Sequence, residues 1–277
     1  MMLRQQSGYA ARLRLSFADC ELRLPRHFWI SALVVMLVCS IATGLYVAAH
    51  RPFWFDELCT VAVVRQQGVS RQWQALADAV DGNPPLFHLA EAAVGKLVGT
   101  PEIAYRILPL LGCVVMQFGL FAFVRRQAGD LAGLIAALIP PLTAANYYYT
   151  EARPYGIVLG VITVALLCWR RGDKWGMAGL ALSLALAVSF HYYGIFAALC
   201  IGAAEIVRSI LLRKLRLAVW LALAAGSACL AIYWPLLQAF KRYYGAHFWA
   251  KPKLLAVFTA YGHILDLPQS LAVPFAH

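Results

Sequence analysis

Long uncharged apolar runs, separated by short basic links, set the pattern of this chain. The first run, Phe28 to Ala49, is long enough at ~1.5 Å per residue to cross the ~30 Å hydrocarbon core of a bilayer. Comparable runs follow at Ile107–Val124, Leu131–Tyr149, Pro154–Trp169, Trp175–Phe190, Tyr192–Leu212 and Leu217–Leu237, which gives seven candidate spans. Glu205 and Arg208 interrupt the sixth run three residues apart, on one helical face, where they can pair or reach toward the interface. Pro84–Gly99 is less apolar, carries His88, Glu91 and Lys96, and would cover only about 24 Å as a helix. If that segment lies flat on the outer surface, the links Arg125-Arg126, Arg170-Arg171-Lys174 and Arg208 to Arg216 all face the cytoplasm. If it crosses, all three face outward. The charge rule therefore predicts a long external loop, residues 50–106, with interfacial amphipathic helices, followed by six further spans.

Composition agrees. The chain has 277 residues, 62% of them hydrophobic and only 13% charged, too little polar surface for a soluble globular domain. The expected fold is all-α and polytopic: a basic cytoplasmic segment 1–27, a transmembrane module 28–237, and an external tail 238–277. Net charge +11 does not point to nucleic acid, because the basic residues punctuate apolar runs instead of gathering on one soluble face. The cysteines are scattered, without C-x-x-C or His-paired spacing, so neither a disulfide framework nor a zinc site is expected.

Three polar constellations fall on the predicted outer side. Arg51-Pro52-Phe53-Trp54-Phe55-Asp56-Glu57-Leu58 sets two carboxylates just beyond the first span among aromatic rings. Partial desolvation suits such groups to act as a general base, while an acidic first turn of a following helix accounts for them equally well. Asp81-Gly82-Asn83-Pro84-Pro85-Leu86-Phe87-His88 reads as a turn running into a helix with proline at its first position. His88 is expected to face back toward the membrane surface, as a structural or a functional imidazole. Asn146-Tyr147-Tyr148, like Tyr192-Tyr193, reads as an aromatic interface belt, and the third constellation runs from Tyr147 through Glu151-Ala152-Arg153-Pro154-Tyr155. Arg153 is the one basic residue of that external link, which asks for an anion: a phosphate, or Glu151 on the same loop. His191, Lys241, Arg242 and His263 belong to the same side. A transporter would instead place ionisable groups at the bilayer midplane.

Taken in order, Phe55-Asp56-Glu57, Asn83-Pro84-Pro85-Leu86-Phe87-His88, the Glu102–Pro109 stretch and Glu151-Ala152-Arg153-Pro154-Tyr155 resemble the membrane glycosyltransferases of the GT-C fold. The likeness covers roughly residues 28–240 and is to the bacterial branch related to protein O-mannosyltransferases and aminoarabinose transferases. It implies inverting transfer of a sugar from a polyprenyl-phosphate donor to an acceptor hydroxyl on the periplasmic face of a bacterial inner membrane. The acceptor would be an envelope glycan, lipid or protein. Carried over, Asp56 is the general base, with Glu57 beside it orienting base or acceptor. Arg153 meets the donor phosphate with Tyr155 and His88, while Asn83, Glu151 and His191 line the cavity. No cofactor and no metal are implied. The chain ends early in what would be the family's large external loop, so a truncated scaffold or a need for a partner subunit stands beside the enzyme reading, and a lipid-linked sugar transporter is the third.

Overall fold

The computed structural model describes residues 24–245 together with Thr259, Gly262, His263 and Asp266. The basic segment before residue 24 and most of the external tail lie outside the described residues. Among the described residues every regular element is helical.

Helix α1 (Arg26–His50) starts directly after Pro25, whose fixed φ and missing N–H suit the edge of a helix. One stripe of α1, with Trp29, Leu33, Gly44 and Ala48, is buried. Val34, Val35 and Val38 are more than half exposed, as expected of side chains that meet hydrocarbon in place of water. Four helical stretches are long and apolar enough to cross a membrane: Arg26–His50, Pro101–Leu142, Tyr192–Leu212 and Leu217–Tyr244.

The segment after α1 folds into three short helices, α2 (Phe55–Val64), α3 (Val69–Ala77) and α4 (Pro85–Gly95). The next element, α5 (Pro101–Leu142), consists of two helical arms that reverse at Gly129, between the apolar runs Ile107–Val124 and Leu131–Tyr149. Gly129 has φ +87°, a conformation that only glycine adopts freely, and ψ 173°. The second arm folds back on the first: Gln117 Nε2 donates to the Ala137 carbonyl at 3.3 Å, and Phe121 and Ala137 share a cluster with Leu33. Arg125 and Asp130 close the reversal with a 2.8 Å ion pair. The α-helix then ends at Leu142, short of the predicted Tyr149. Thr143 turns extended, and Ala144–Tyr149 tightens into a 3₁₀ turn.

Helix α6 (Tyr155–Arg171) crosses the first arm of α5 backbone to backbone. A Cβ on Gly112 would overlap Ile157 Cα and the Gly156 carbonyl, and one on Gly160 would overlap the backbone of Gly112. Gly156 and Gly160 thus form a small-residue stripe of the kind that lets membrane helices approach closely. Gly112→Val is expected to lower the thermal midpoint in detergent strongly, because backbone cannot yield as a side chain does. Gly99→Ala, where a Cβ would meet nothing within 4 Å, is the matched control and should leave the midpoint unchanged. Equal midpoints for the two variants would overturn this account.

Gly172 ends α6, and Asp173 caps α7 (Lys174–Phe190) by accepting from the Gly176 N–H at 2.7 Å. Helices α8 (Ile195–Leu212) and α9 (Leu217–Ser227) pack on α7 through Leu180, Leu184, Ala198, Ile201 and Leu223. The pairing expected between Glu205 and Arg208 is present at 3.1 Å, and Glu205 also binds Arg216 and the Trp169 indole. Arg170 donates to the Phe123 carbonyl at the same end, so one pole of the bundle gathers the basic links. The last run continues past its expected end at Leu237, through a 3₁₀ turn (Ala228–Tyr233) and α10 (Trp234–Tyr244). Tyr233 and Leu236 pack on Val63 and Leu76, Phe240 lies against Gly82, and the Tyr244 hydroxyl donates to the Ala79 carbonyl at 3.4 Å. In this way α10 holds the loop helices against the opposite pole.

Candidate functional site

That opposite pole is built from the C-terminal end of α1, helices α2 and α4, the start of α5, the link 143–154 and the junction of α7 with α8. Asp56 and Glu57 occupy the first turn of α2, where carboxylates favour helix initiation. Their side chains part company. Glu57 is wholly buried and saturated. Its Oε1 accepts from Arg51 Nη2 at 2.9 Å, Arg106 Nε at 3.1 Å and the Ala152 N–H at 2.7 Å. Its Oε2 accepts from Arg106 Nη2 at 2.8 Å and the Trp54 N–H at 3.2 Å. Burial alone pushes this carboxyl up, but the hydrogen bonds from Arg106 and Ala152 and the charges of Arg106 and Arg51 outweigh it and hold it below the usual range. Arg106 is equally enclosed, and its remaining donors reach the carbonyls of Ala48, Arg51 and Pro52. Glu57 therefore ties α1, α2, α5 and the 150–152 link together. Asp56, half-buried one residue earlier, makes no hydrogen bond or ion pair through its carboxylate with the described residues.

Asp81 forms the second knot. Its Oδ2 accepts from Thr60 Oγ1 at 3.0 Å, His88 Nε2 at 3.1 Å and Arg153 Nη1 at 2.9 Å, and its Oδ1 accepts from Asn83 Nδ2 at 2.8 Å. Burial raises this carboxyl too, yet the hydrogen bond from His88 and the charge of Arg153 carry it well below the ordinary value. His88 does not face the membrane surface as expected from sequence. It is wholly enclosed, with Nδ1 3.2 Å from the Pro84 carbonyl, because α4 turns the face bearing Phe87, His88 and Glu91 inward. Asn83 and His88 serve the same carboxylate from either side of the proline pair. The turn motif thus acts as a mount for Asp81, and through Asp81 for Arg153.

Arg153 does not pair with Glu151. Its Nη1 reaches Asp81, the Thr60 hydroxyl at 3.2 Å and the Asp56 carbonyl at 3.1 Å, while its Nε is buried without a partner. One terminal nitrogen is thus clamped, the enclosed Nε has no partner, and the charge of Asp56 acts on the same guanidinium. Glu151 is buried with its Oε2 unpartnered, and desolvation pushes its carboxyl up to about 7 against the opposing charge of Arg153. His191 ends α7 and its Nδ1 accepts from the Tyr193 N–H at 3.0 Å; burial, then Arg153, push the ring down to about 4, so it is neutral at physiological pH. Tyr155 lies between Tyr148 and His191, 5.3 Å from each ring, and the row continues to Tyr193 at 4.8 Å and Phe196 at 5.8 Å. Tyr193 and Phe196 are well exposed, so this aromatic row leads from Arg153 to the outer face of the bundle.

The structure brings Asp56, Glu57, Asn83, His88, Glu151, Arg153, Tyr155 and His191 to one pole. Lys241 and Arg242 sit exposed at the end of α10. His263 pairs with Asp266 at 3.1 Å, whose carbonyl accepts from the Ala144 N–H at 2.7 Å. Sequence reasoning missed Arg106, Arg51, Thr60 and the role of Asp81. Arg106 carried a readable signal, a lone cation at the start of an apolar run, which inside a bundle demands a partner. Among the described residues no three His, Cys, Asp or Glu side chains group as metal ligands. No protein-family model, no curated protein and no solved structure matches this chain.

Proposed function

We propose that this chain is an integral-membrane glycosyltransferase that moves a sugar from a polyprenyl-phosphate donor to an acceptor hydroxyl at the periplasmic face, with inversion. The observation that carries the reading is Arg153, clamped through Nη1 with its Nε unpartnered, next to Asp56, whose carboxylate makes no polar contact with the described residues. A fixed guanidinium with an unpartnered donor suits phosphate, and a half-buried carboxylate without a described partner beside it suits a base. The ordered motifs resembling the GT-C glycosyltransferases support the same conclusion. In this reading the two arms of α5, with α1, α6, α7, α8 and the α9–α10 stretch, make seven crossings. The basic pole faces the cytoplasm of a bacterial inner membrane and the Asp56–Arg153 pole faces the periplasm.

Asp56 takes the proton of the acceptor hydroxyl as its oxygen attacks the anomeric carbon. The bond from that carbon to the phosphate oxygen breaks, and its electron pair stays on the phosphate, where Arg153 stabilises the growing charge. One displacement needs no enzyme nucleophile and no cofactor. Glu57 acts at one remove, by fixing the turn that aims Asp56. The aromatic row from Tyr155 to Phe196 offers apolar faces to sugar and prenyl chain alike.

The test is reconstitution in vesicles with radiolabelled polyprenyl-phosphate sugars and a crude envelope acceptor. Label is expected in the acceptor. Arg153→Ala is expected to weaken donor binding at least about tenfold, roughly 1.4 kcal/mol, with acceptor affinity unchanged. Unchanged donor affinity would remove the phosphate role, and label that crosses the vesicle without transfer would favour a transporter.

A further inference from the structure

Helices α8 and α9 belong to two of the stretches that are long and apolar enough to cross a membrane, and along one side they do not close on each other. Between them lies a groove of about 410 Å³, walled from α8 by Ala198, Gly202 and Ile206 and from α9 by Trp220, Ala224 and Ser227. Where α5 crosses α6, backbone fills the place of a Cβ on Gly112 or Gly160. A Cβ on Gly202 would instead meet the Leu223 and Trp220 side chains at 3.7 Å, an ordinary contact. Glycine at 202 is therefore not required for close approach, and together with the alanines it leaves a slot. Ile206 and Ala224 are exposed, so the slot opens sideways, toward the hydrocarbon that surrounds a membrane helix.

The two walls converge on a cluster of cations. The helical period that places Ala198, Gly202 and Ile206 on one face of α8 leads on to Arg213, directly after that helix, and the face of Trp220 and Ala224 leads back to Arg216, directly before α9. The link holds Arg208, Arg213, Lys214 and Arg216 and no acidic residue. The nearest carboxylate, Glu205, is wholly buried and already accepts from Arg208, Arg216 and the Trp169 indole. Arg213 and Lys214 are exposed and make no ion pair with the described residues. A slot lined by hydrocarbon that ends at cations without counter-charge matches a molecule that is apolar along its length and anionic at its head. We infer that the α8–α9 groove seats an acyl chain of an anionic phospholipid from the leaflet at the basic pole, with the lipid phosphate held by Arg213 and Lys214. The headgroup site lies at the pole opposite Asp56 and Arg153 and does not depend on the chemistry proposed there.

The experiment measures binding of phosphatidylglycerol and of phosphatidylcholine with identical acyl chains to the full chain in detergent micelles. The wild type is expected to bind phosphatidylglycerol at least about tenfold more tightly. Arg213→Gln combined with Lys214→Gln should bring the two lipids to parity. Ala203→Phe, which puts a ring into the groove from its exposed wall, should weaken both lipids about tenfold and leave their ratio unchanged. Ala204→Phe, at the exposed neighbour that does not line the groove, is the matched control and should bind both lipids as the wild type does. Equal affinities for the two lipids in the wild type, or a preference for phosphatidylglycerol that survives loss of both cations, overturns the phosphate site. The same affinity in Ala203→Phe as in Ala204→Phe overturns the seated chain. A dimer that binds no lipid and that Ala203→Phe alone dissociates would overturn the proposal by giving the groove to a second copy of this chain.

Discussion

Asp56→Asn is expected to cut sugar transfer by a factor on the order of 10² to 10⁴, the usual worth of a positioned general base, while insertion and thermal stability stay at wild-type levels. The structural ground is the contrast between adjacent carboxylates. Glu57 has every acceptor position occupied, whereas Asp56 makes no polar contact through its side chain with the described residues. Asparagine keeps the shape and loses only the capacity to take a proton, and the backbone carbonyl of Asp56 that holds Arg153 Nη1 is unaffected. Donor binding should therefore survive in Asp56→Asn as transfer disappears. A variant with full transfer activity would remove Asp56 from the chemistry, and one that loses donor binding as well would make it a binding group instead of a base.

The second large effect concerns stability. Glu57→Gln leaves Arg106 and Arg51 facing a neutral amide in a site where Arg106 is 1% exposed, and an uncompensated buried charge of this kind costs about 3–5 kcal/mol. The comparison that separates pairing from burial is the double variant Glu57→Gln with Arg106→Met, which removes the stranded charge and should recover a large part of the loss. Because the Glu57 carboxyl is held below its ordinary value of 4.5, its contribution is fully present above that pH and disappears as pH falls through the lower, folded value. Thermal midpoints measured from pH 7 to pH 3 should drop more steeply for the wild type than for Glu57→Gln. Parallel curves would show that the clamp contributes little.

These two residues mark the boundary of what sequence can reveal. Asp56 and Glu57 are chemically alike, adjacent and equally acidic in sequence, and only their directions on α2 separate them. A helix turns about 100° per residue, so one carboxylate meets Arg106 from 49 positions away while its neighbour stays half-buried. The same holds for Asp81, which reads as an ordinary turn residue until α4 brings His88 onto it and the 150–154 link brings Arg153. Arg153 was legible as a cation in need of an anion, because a charge against the topological trend at a membrane boundary is costly. Its partner was not legible, since Glu151 is nearer in sequence and Asp81 nearer in space.

What the sequence by itself determined is the all-helical membrane character, the bipolar charge that separates a basic pole from a polar, aromatic one, the loop of short helices after the first apolar run, and the cluster of unusual side chains at one pole. Each of these depends on local composition or on periodicity, which a chain carries wherever it goes. The tertiary structure alone decided that the turn between the two arms of 101–142 falls on Gly129 with positive φ, that α5 and α6 cross glycine on glycine, and that the last apolar run carries on to Tyr244. It also decided which carboxylate is a strut and which makes no polar contact with the described residues, and that Arg153 is held by Asp81 with its Nε unpartnered. Those outcomes depend on contacts between residues far apart in the chain, where burial removes water and forces each charge to find the partner that packing, not proximity in sequence, puts within reach.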